Sequence, residues 1–295
     1  MLAHRFSPPA TTGSRRGVRV ALLSLFLTWG FPAATPVFAG PYDPQVGFGA
    51  VNAIPRSSSS FQEWASSVVS FTRGPQDITN PSLGLATTGS ATNALGSGGG
   101  LVSLGDGGSI TLGFATPIAN GAGADFAVFE NGFVSGSGGL AFLELATVSV
   151  SSDGVHFFEF PAVSLTQTQA QVGAFGLLDA SNLYDLAGKY INGFGTPFDL
   201  SELAGVSPFL NVNDVTEVQI TDVVGSINPQ FGTRDSVGNL INDPFTTPGP
   251  SSGFDLTGVG VINPAAVPEP SSLALCIIAG VAGTIVVRVR RKRTA

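Results

Sequence analysis

Between residues 100 and 262 the chain alternates apolar and polar positions in short runs: residues 100–104, 109–114, 125–129, 141–151, 155–160, 215–223 and 253–262. Each run has a period of two, is rich in β-branched or aromatic side chains, and is bounded by Gly, Asn or Asp. A period of two sends successive side chains to opposite faces of an extended backbone, so these runs predict strands with one face in a core. Residues 67–71 predict a first strand, followed by a turn at 72–75. Ser152-Asp153-Gly154 predicts a tight hairpin, because Asp-Gly readily takes the positive φ of such turns. Residues 86–100, rich in Gly, Ser, Thr and Ala, predict an exposed loop. The middle of the chain is less regular: residues 180–188 read as one short helix ended by a glycine, 192–197 as a long turn, and 199–203 as a helical turn. Many short strands, no long amphipathic helix and no fixed repeat predict an all-β fold, an antiparallel β-sandwich of jelly-roll type.

The two ends break this pattern. Arg5, Arg15, Arg16 and Arg19 precede an apolar run over 20–31, and Val37-Phe38-Ala39 supplies small residues at a cleavage spacing. This predicts a signal peptide over 1–39, cut after Ala39. Ser14-Arg15-Arg16 followed by Val18 is a partial twin-arginine match, and ordinary unfolded export is the preferred reading. At the other end, residues 273–287 carry no charge, and five of the last eight residues are Lys or Arg. An apolar span with a basic flank predicts a transmembrane helix at 273–287 and a cytoplasmic tail at 288–295. The span is shorter than the roughly 20 residues a stable spanning helix prefers, and Gly280 and Gly283 interrupt it. The body is then 40–262, joined to the span by a linker over 263–272.

That linker holds Val267-Pro268-Glu269-Pro270. Pro-Glu-Pro, a hydrophobic helix and an Arg-rich end together resemble the sorting signal of the PEP-CTERM proteins of Gram-negative bacteria. The resemblance covers about a tenth of the chain. It implies recognition by an exosortase, a membrane transpeptidase that cuts near the motif and passes the body to the cell envelope, surface or exterior. Within the body, residues 108–112, 125–131 and 252–256 resemble stretches of uncharacterised bacterial cell-surface proteins, some of which serve nutrient capture, including corrinoid uptake. No binding residue is carried over from that likeness.

Assigning the termini to export and sorting separates the charges. Nine of the thirteen basic residues lie in the terminal signals, which leaves Arg56, Arg73, Lys189 and Arg234 against nineteen acids in the body, a net charge of −15. So acidic a body repels phosphate backbones, which excludes nucleic acid as a partner and favours divalent cations. The one cysteine, Cys276, lies in the apolar span, so the body has no disulfide, thiolate metal site or cysteine nucleophile. His156 is the body's single histidine, which rules out multi-histidine metal sites; it falls within a strand run and reads as a strand-face residue.

Candidate chemistry therefore rests on oxygen ligands. Asp125, Glu130 and Asn131 bracket one predicted strand, and Glu144 begins the next strand region. Asp222, Asp235 and Asp243, pooled with Asp255, form a second set. Calcium takes six to eight oxygens gathered from loops, which these residues can supply. The spacing from Asp235 departs from an EF-hand, with Val237 at a ligand position and Thr246 in place of the closing Glu. No Gly-x-Ser-x-Gly elbow and no phosphate-binding Gly-rich loop occurs. The frequent Phe residues predict inter-sheet core, while Trp64, Tyr42, Tyr184 and Tyr190 are the aromatics suited to face a ligand. The expected function is a non-catalytic, calcium-stabilised surface module that binds glycan, such as exopolysaccharide, or other envelope components. The alternatives are a secreted two-carboxylate carbohydrate-active enzyme and a small-ligand capture protein.

Overall fold

Residues 40–135 and 137–266 are described by a computed structural model. The signal segment with Ala39, the motif Val267 to Pro270, the span 273–287 with Cys276, and the basic tail lie outside the described residues. Among the described residues no helix is long and apolar enough to cross a membrane.

Ten strands carry the architecture: β1 (Ile54–Pro55), β2 (Glu63–Trp64), β3 (Ser67–Thr72), β4 (Ser109–Ile118), β5 (Phe126–Phe129), β6 (Ala146–Ser151), β7 (Phe158–Glu159), β8 (Phe194–Phe198), β9 (Val215–Asp222) and β10 (Gly258–Val261). They form two five-stranded sheets, ordered β1-β8-β5-β10-β2 and β7-β6-β9-β4-β3. Their pairings are antiparallel throughout, and the described helices are four short 3-10 turns. The body is an all-β sandwich.

Alternation explains the register. Val218 of β9 pairs with Leu112 on one side and Val150 on the other, and Ile220 pairs with Ile110 and Val148. A one-residue slip of β9 would turn Val218 and Ile220 to the outer face, away from these four partners, so this register is strongly specified. They meet Phe126, Val128, Val259 and Val261 of the opposite sheet in one core. Phe126 stacks on Phe198 at 5.3 Å and meets Phe160 edge-on at 5.8 Å. The opposite face of the second sheet is polar: Ser70 and Gln219 donate to Thr111 Oγ1 at 2.9 and 3.2 Å. A second apolar cluster, including Leu143, Leu145, Leu183, Val223 and Ile241, forms beside the strand ends.

Several expectations change. The run 141–151 is two strands, Leu140–Phe142 and β6, with Glu144 in the break. The run 253–262 likewise splits into Asp255–Leu256 and β10. Residues 180–188 are not one helix but a 3-10 turn, Ala180–Asn182, and a short strand, Leu183–Tyr184, because pairing with Val163–Ser164 supplies partners that a helix would forfeit. The expected long turn at 192–197 holds β8 instead, paired along its length with β5. Pro197 is tolerated there because β1 pairs only with Phe194 and Gly195 on the other edge. Asp153-Gly154 lies in a wider connection than a tight hairpin, since the ladder restarts only at Val150 and Phe158. His156 leaves the strand face accordingly: it stacks on Phe209 at 4.4 Å and meets Asp153 at 2.7 Å.

Candidate functional site

Antiparallel pairing gathers acids that are far apart in sequence. Asp222 ends β9 opposite Ala146, so Glu144 approaches the same edge from the start of β6. Thr221 faces Ser109, which brings Asp106 to that edge from the start of β4. In the other sheet Phe129 pairs with Gly258, so Glu130 leaves β5 where Asp255 leads into β10. Asp243 arrives on a loop, held by the Leu145 N–H at 2.9 Å. Six carboxylates thus share one end of the sandwich: Asp106, Glu130, Glu144, Asp222, Asp243 and Asp255, all buried.

Each is held in a particular way. Asp222 accepts N–H groups from Phe254 at 2.6 Å and Gly107 at 2.8 Å, one on each oxygen. Gly253, at φ +68°, makes room for it: a Cβ there would lie 2.7 Å from Asp222 Oδ1. Gly225 does the same for Asp243, where a Cβ would fall 1.6 Å from Oδ1. Asp106 accepts from Ile78 N–H at 2.7 Å, Glu130 from Gly132 N–H, and Asp255 from Ser103 Oγ and the Asn131 amide. Glu144 differs: it is only 6 % exposed, it receives no hydrogen bond among the described residues, and it faces Glu130, Asp255, Asp222 and Asp243. Nearby, Ser252 Oγ is buried without a partner, one residue from the Gly253 that flanks Asp222.

Burial pushes the carboxyls of Glu130, Glu144, Asp222 and Asp243 well above the ordinary range, and the neighbouring carboxylates push them further. Burial also raises Asp106 and Asp255 to about 6. Among the described residues no basic side chain pairs with these acids. Arg56 lies over the Phe129 ring at 4.3 Å and donates to Thr257 Oγ1 at 2.6 Å. Arg73 donates to the Thr88 and Ser103 carbonyls at 3.1 Å, Lys189 to the Leu183 carbonyl at 2.6 Å, and Arg234 to the Gly238 carbonyl at 2.7 Å. Among the described residues the single ion pair is His156 with Asp153, remote from the cluster in the β6–β7 connection. Nor do three His, Cys, Asp or Glu side chains among the described residues stand in a ready metal-holding arrangement. Protons or a cation must therefore offset the charge, and closing on a cation requires these side chains to rotate.

Four of the residues expected as cation ligands come together here, Glu130, Asp222, Asp243 and Asp255, with Asn131 beside them as a donor to Asp255. Asp125 does not. It sits at the opposite end of β5, and its oxygens are engaged by Gly121 N–H at 2.7 Å, Asn263 Nδ2 at 2.8 Å and Leu200 N–H at 2.7 Å. Asp235 is also elsewhere, closing its own turn by accepting from Asn239 N–H at 2.8 Å, Val237 N–H at 3.1 Å and Ser164 N–H at 3.1 Å. Asp106 was missed by sequence reasoning; its signal was the run Gly105-Asp-Gly-Gly108 immediately before a strand.

The aromatic candidates divide too. Trp64 packs among Phe61, Phe129 and Arg56, and Tyr190 is 2 % exposed with its hydroxyl donated to Asp43, so neither is an open platform. Tyr42 and Tyr184 lie ring to ring at 5.2 Å beside a separate concavity. Comparison with known proteins adds no relative: no family model matches the chain, and no curated protein is significantly similar to it.

Proposed function

We propose that the chain is an exported surface protein, sorted by an exosortase-type transpeptidase, whose jelly-roll β-sandwich is stabilised by calcium and binds glycan or envelope components without catalysis. The observation that carries the calcium reading is the six-carboxylate cluster with no cationic side chain among the described residues paired to it. Its donors are all oxygens, with the Asn131 amide and Ser252 hydroxyl adjacent, a set that suits a hard cation and not zinc. Burying such charges unpaired is costly, so an ion bound only by the folded state adds its binding free energy to stability. Removal of protons from the raised carboxyls accompanies that binding.

The enzyme alternative requires two carboxyls about 5 Å or more apart across a sugar-binding gap. The acids that line the aromatic concavity, Asp185 and Glu202, have adjacent charges, with Glu202 held by the Tyr184 hydroxyl at 2.9 Å, an arrangement that supports binding over cleavage. The address rests on the terminal patterns, Ala39, Val267 to Pro270, and the membrane span. The test of the calcium reading is the melting temperature of the full-length protein in calcium and in excess chelator. Calcium is expected to raise it, and coincident curves refute the reading. Replacing Pro268-Glu269-Pro270 by alanines is expected to retain the body at the inner membrane, and unchanged release in cells that hold the transpeptidase refutes the sorting reading.

A further inference from the structure

Away from the carboxylate cluster, the segment that follows the 3-10 turn Ala180–Asn182 bends sharply. Asp185 takes φ +48°, alone among the described non-glycine residues in the left-handed region, and Asp tolerates this conformation better than most side chains. The bend places Tyr184 and Asp185 against β8 and the 3-10 turn Leu200–Leu203. Two adjoining cavities of about 70 and 520 Å³ open there, sharing Asn52, Tyr184, Asp185 and Pro197 as walls. Tyr184 donates its hydroxyl to Glu202 Oε2 at 2.9 Å, which positions both. Asp43 stiffens the rim by accepting N–H groups from Val51 at 3.0 Å and Asn52 at 3.1 Å and the Tyr190 hydroxyl.

Two polar atoms in these walls are buried without a partner: Asp185 Oδ2 and Thr196 Oγ1. Asp185 is 9 % exposed and Thr196 3 %, so both are committed to the interior, where an unmade hydrogen bond is costly. We propose that this cleft binds a neutral saccharide residue, with Asp185, Thr196 and Asn52 meeting its hydroxyls and Tyr184 its apolar face. A sugar hydroxyl both donates and accepts, so it satisfies an orphaned carboxylate oxygen and an orphaned threonine hydroxyl alike. The walls Ile54 and Pro197 and the paired Tyr42 and Tyr184 rings suit a C–H face. Asp185, Asp199 and Glu202 in the lining disfavour an anionic sugar. Lys189 lines the smaller cavity, its ammonium donating to the Leu183 carbonyl at 2.6 Å. The proposal deepens the glycan reading above and shares with it only the premise that the cleft binds without cleaving.

The test is calorimetric titration of the full-length protein, in calcium, with glucose, galactose, mannose, N-acetylglucosamine, cellobiose, maltose and chitobiose. At least one sugar is expected to bind. Asp185→Asn, which keeps the side-chain shape and tolerates the same backbone bend, is expected to weaken it about tenfold or more. Tyr184→Ala is expected to do the same, whereas Tyr184→Phe, which retains the ring, costs about threefold. No heat from any of these sugars, or equal affinity in Asp185→Asn, overturns the proposal. The calcium-dependent melting shift, measured on the same samples, is expected to survive in Asp185→Asn. A saccharide bound normally by protein that shows no calcium shift refutes the calcium reading alone.

Discussion

Glu144→Gln separates a charge-balanced cluster from a merely buried one. Glu144 faces four carboxyls and receives no hydrogen bond among the described residues, so the amide removes repulsion without orphaning a donor. One neighbouring charge at roughly 6 Å and an effective dielectric near 20 repels by about 3 kcal/mol. Because burial keeps part of the cluster protonated, the relief at pH 8 is about 1–3 kcal/mol. For a domain of this size that is a melting temperature about 2–10 °C higher than wild type in chelator. In calcium the gap narrows by about 1.3 kcal/mol: wild type at about 100 times its dissociation constant gains about 2.7 kcal/mol, and losing one ligand charge lowers the variant's affinity about tenfold, halving its gain. At pH 4, where Glu144 holds its own proton, the two proteins are expected to melt together. Differential scanning calorimetry in chelator and in calcium, at both pH values, reads all of this. A variant less stable than wild type in chelator at pH 8, or an undiminished calcium shift, refutes the reasoning.

In chelator, stability is expected to fall as pH rises from about 4 through about 6 and beyond, because the folded protein retains protons on Asp106, Asp255 and the more strongly raised acids that the unfolded chain has released. Calcium is expected to flatten that slope, and a stability that rises over this range contradicts the raised carboxyls. Gly225→Ala forces a Cβ to within 1.6 Å of Asp243 Oδ1 and is expected to cost about 1–3 kcal/mol and shrink the calcium shift, while Gly173→Ala, with nothing within 4 Å, is a neutral control in the same melts. Phe126→Ala removes the ring stacked between Phe198 and Phe160 and is expected to cost about 3–5 kcal/mol by denaturant titration, whereas Phe175→Ala, 83 % exposed, is expected to change little.

The alternation along 109–114, 125–129 and 215–223 determined the strands β4, β5 and β9 and hence the all-β class, because a period of two satisfies a one-sided core only in extended backbone. Composition alone likewise determined the imbalance of nineteen acids against four bases in the body, and with it the need for cations or protons. The break at Glu144 was not legible, since the apolar pattern runs through it; the strand is interrupted there as the Leu145 N–H turns to Asp243 Oδ2 at 2.9 Å. β8 was hidden behind Gly193, Gly195 and Pro197, residues that read as a turn until β5 offers a partner. Asp125 and Glu130 sit five positions apart and looked like one site, yet a strand separates its ends, and they belong to opposite ends of the sandwich. Asp106, Glu144 and Asp255, distant along the chain, are neighbours because three antiparallel ladders turn at the same edge. Sequence specified which residues carry charge; only long-range pairing decided which of those charges face one another, since proximity between strands depends on register and not on separation along the chain.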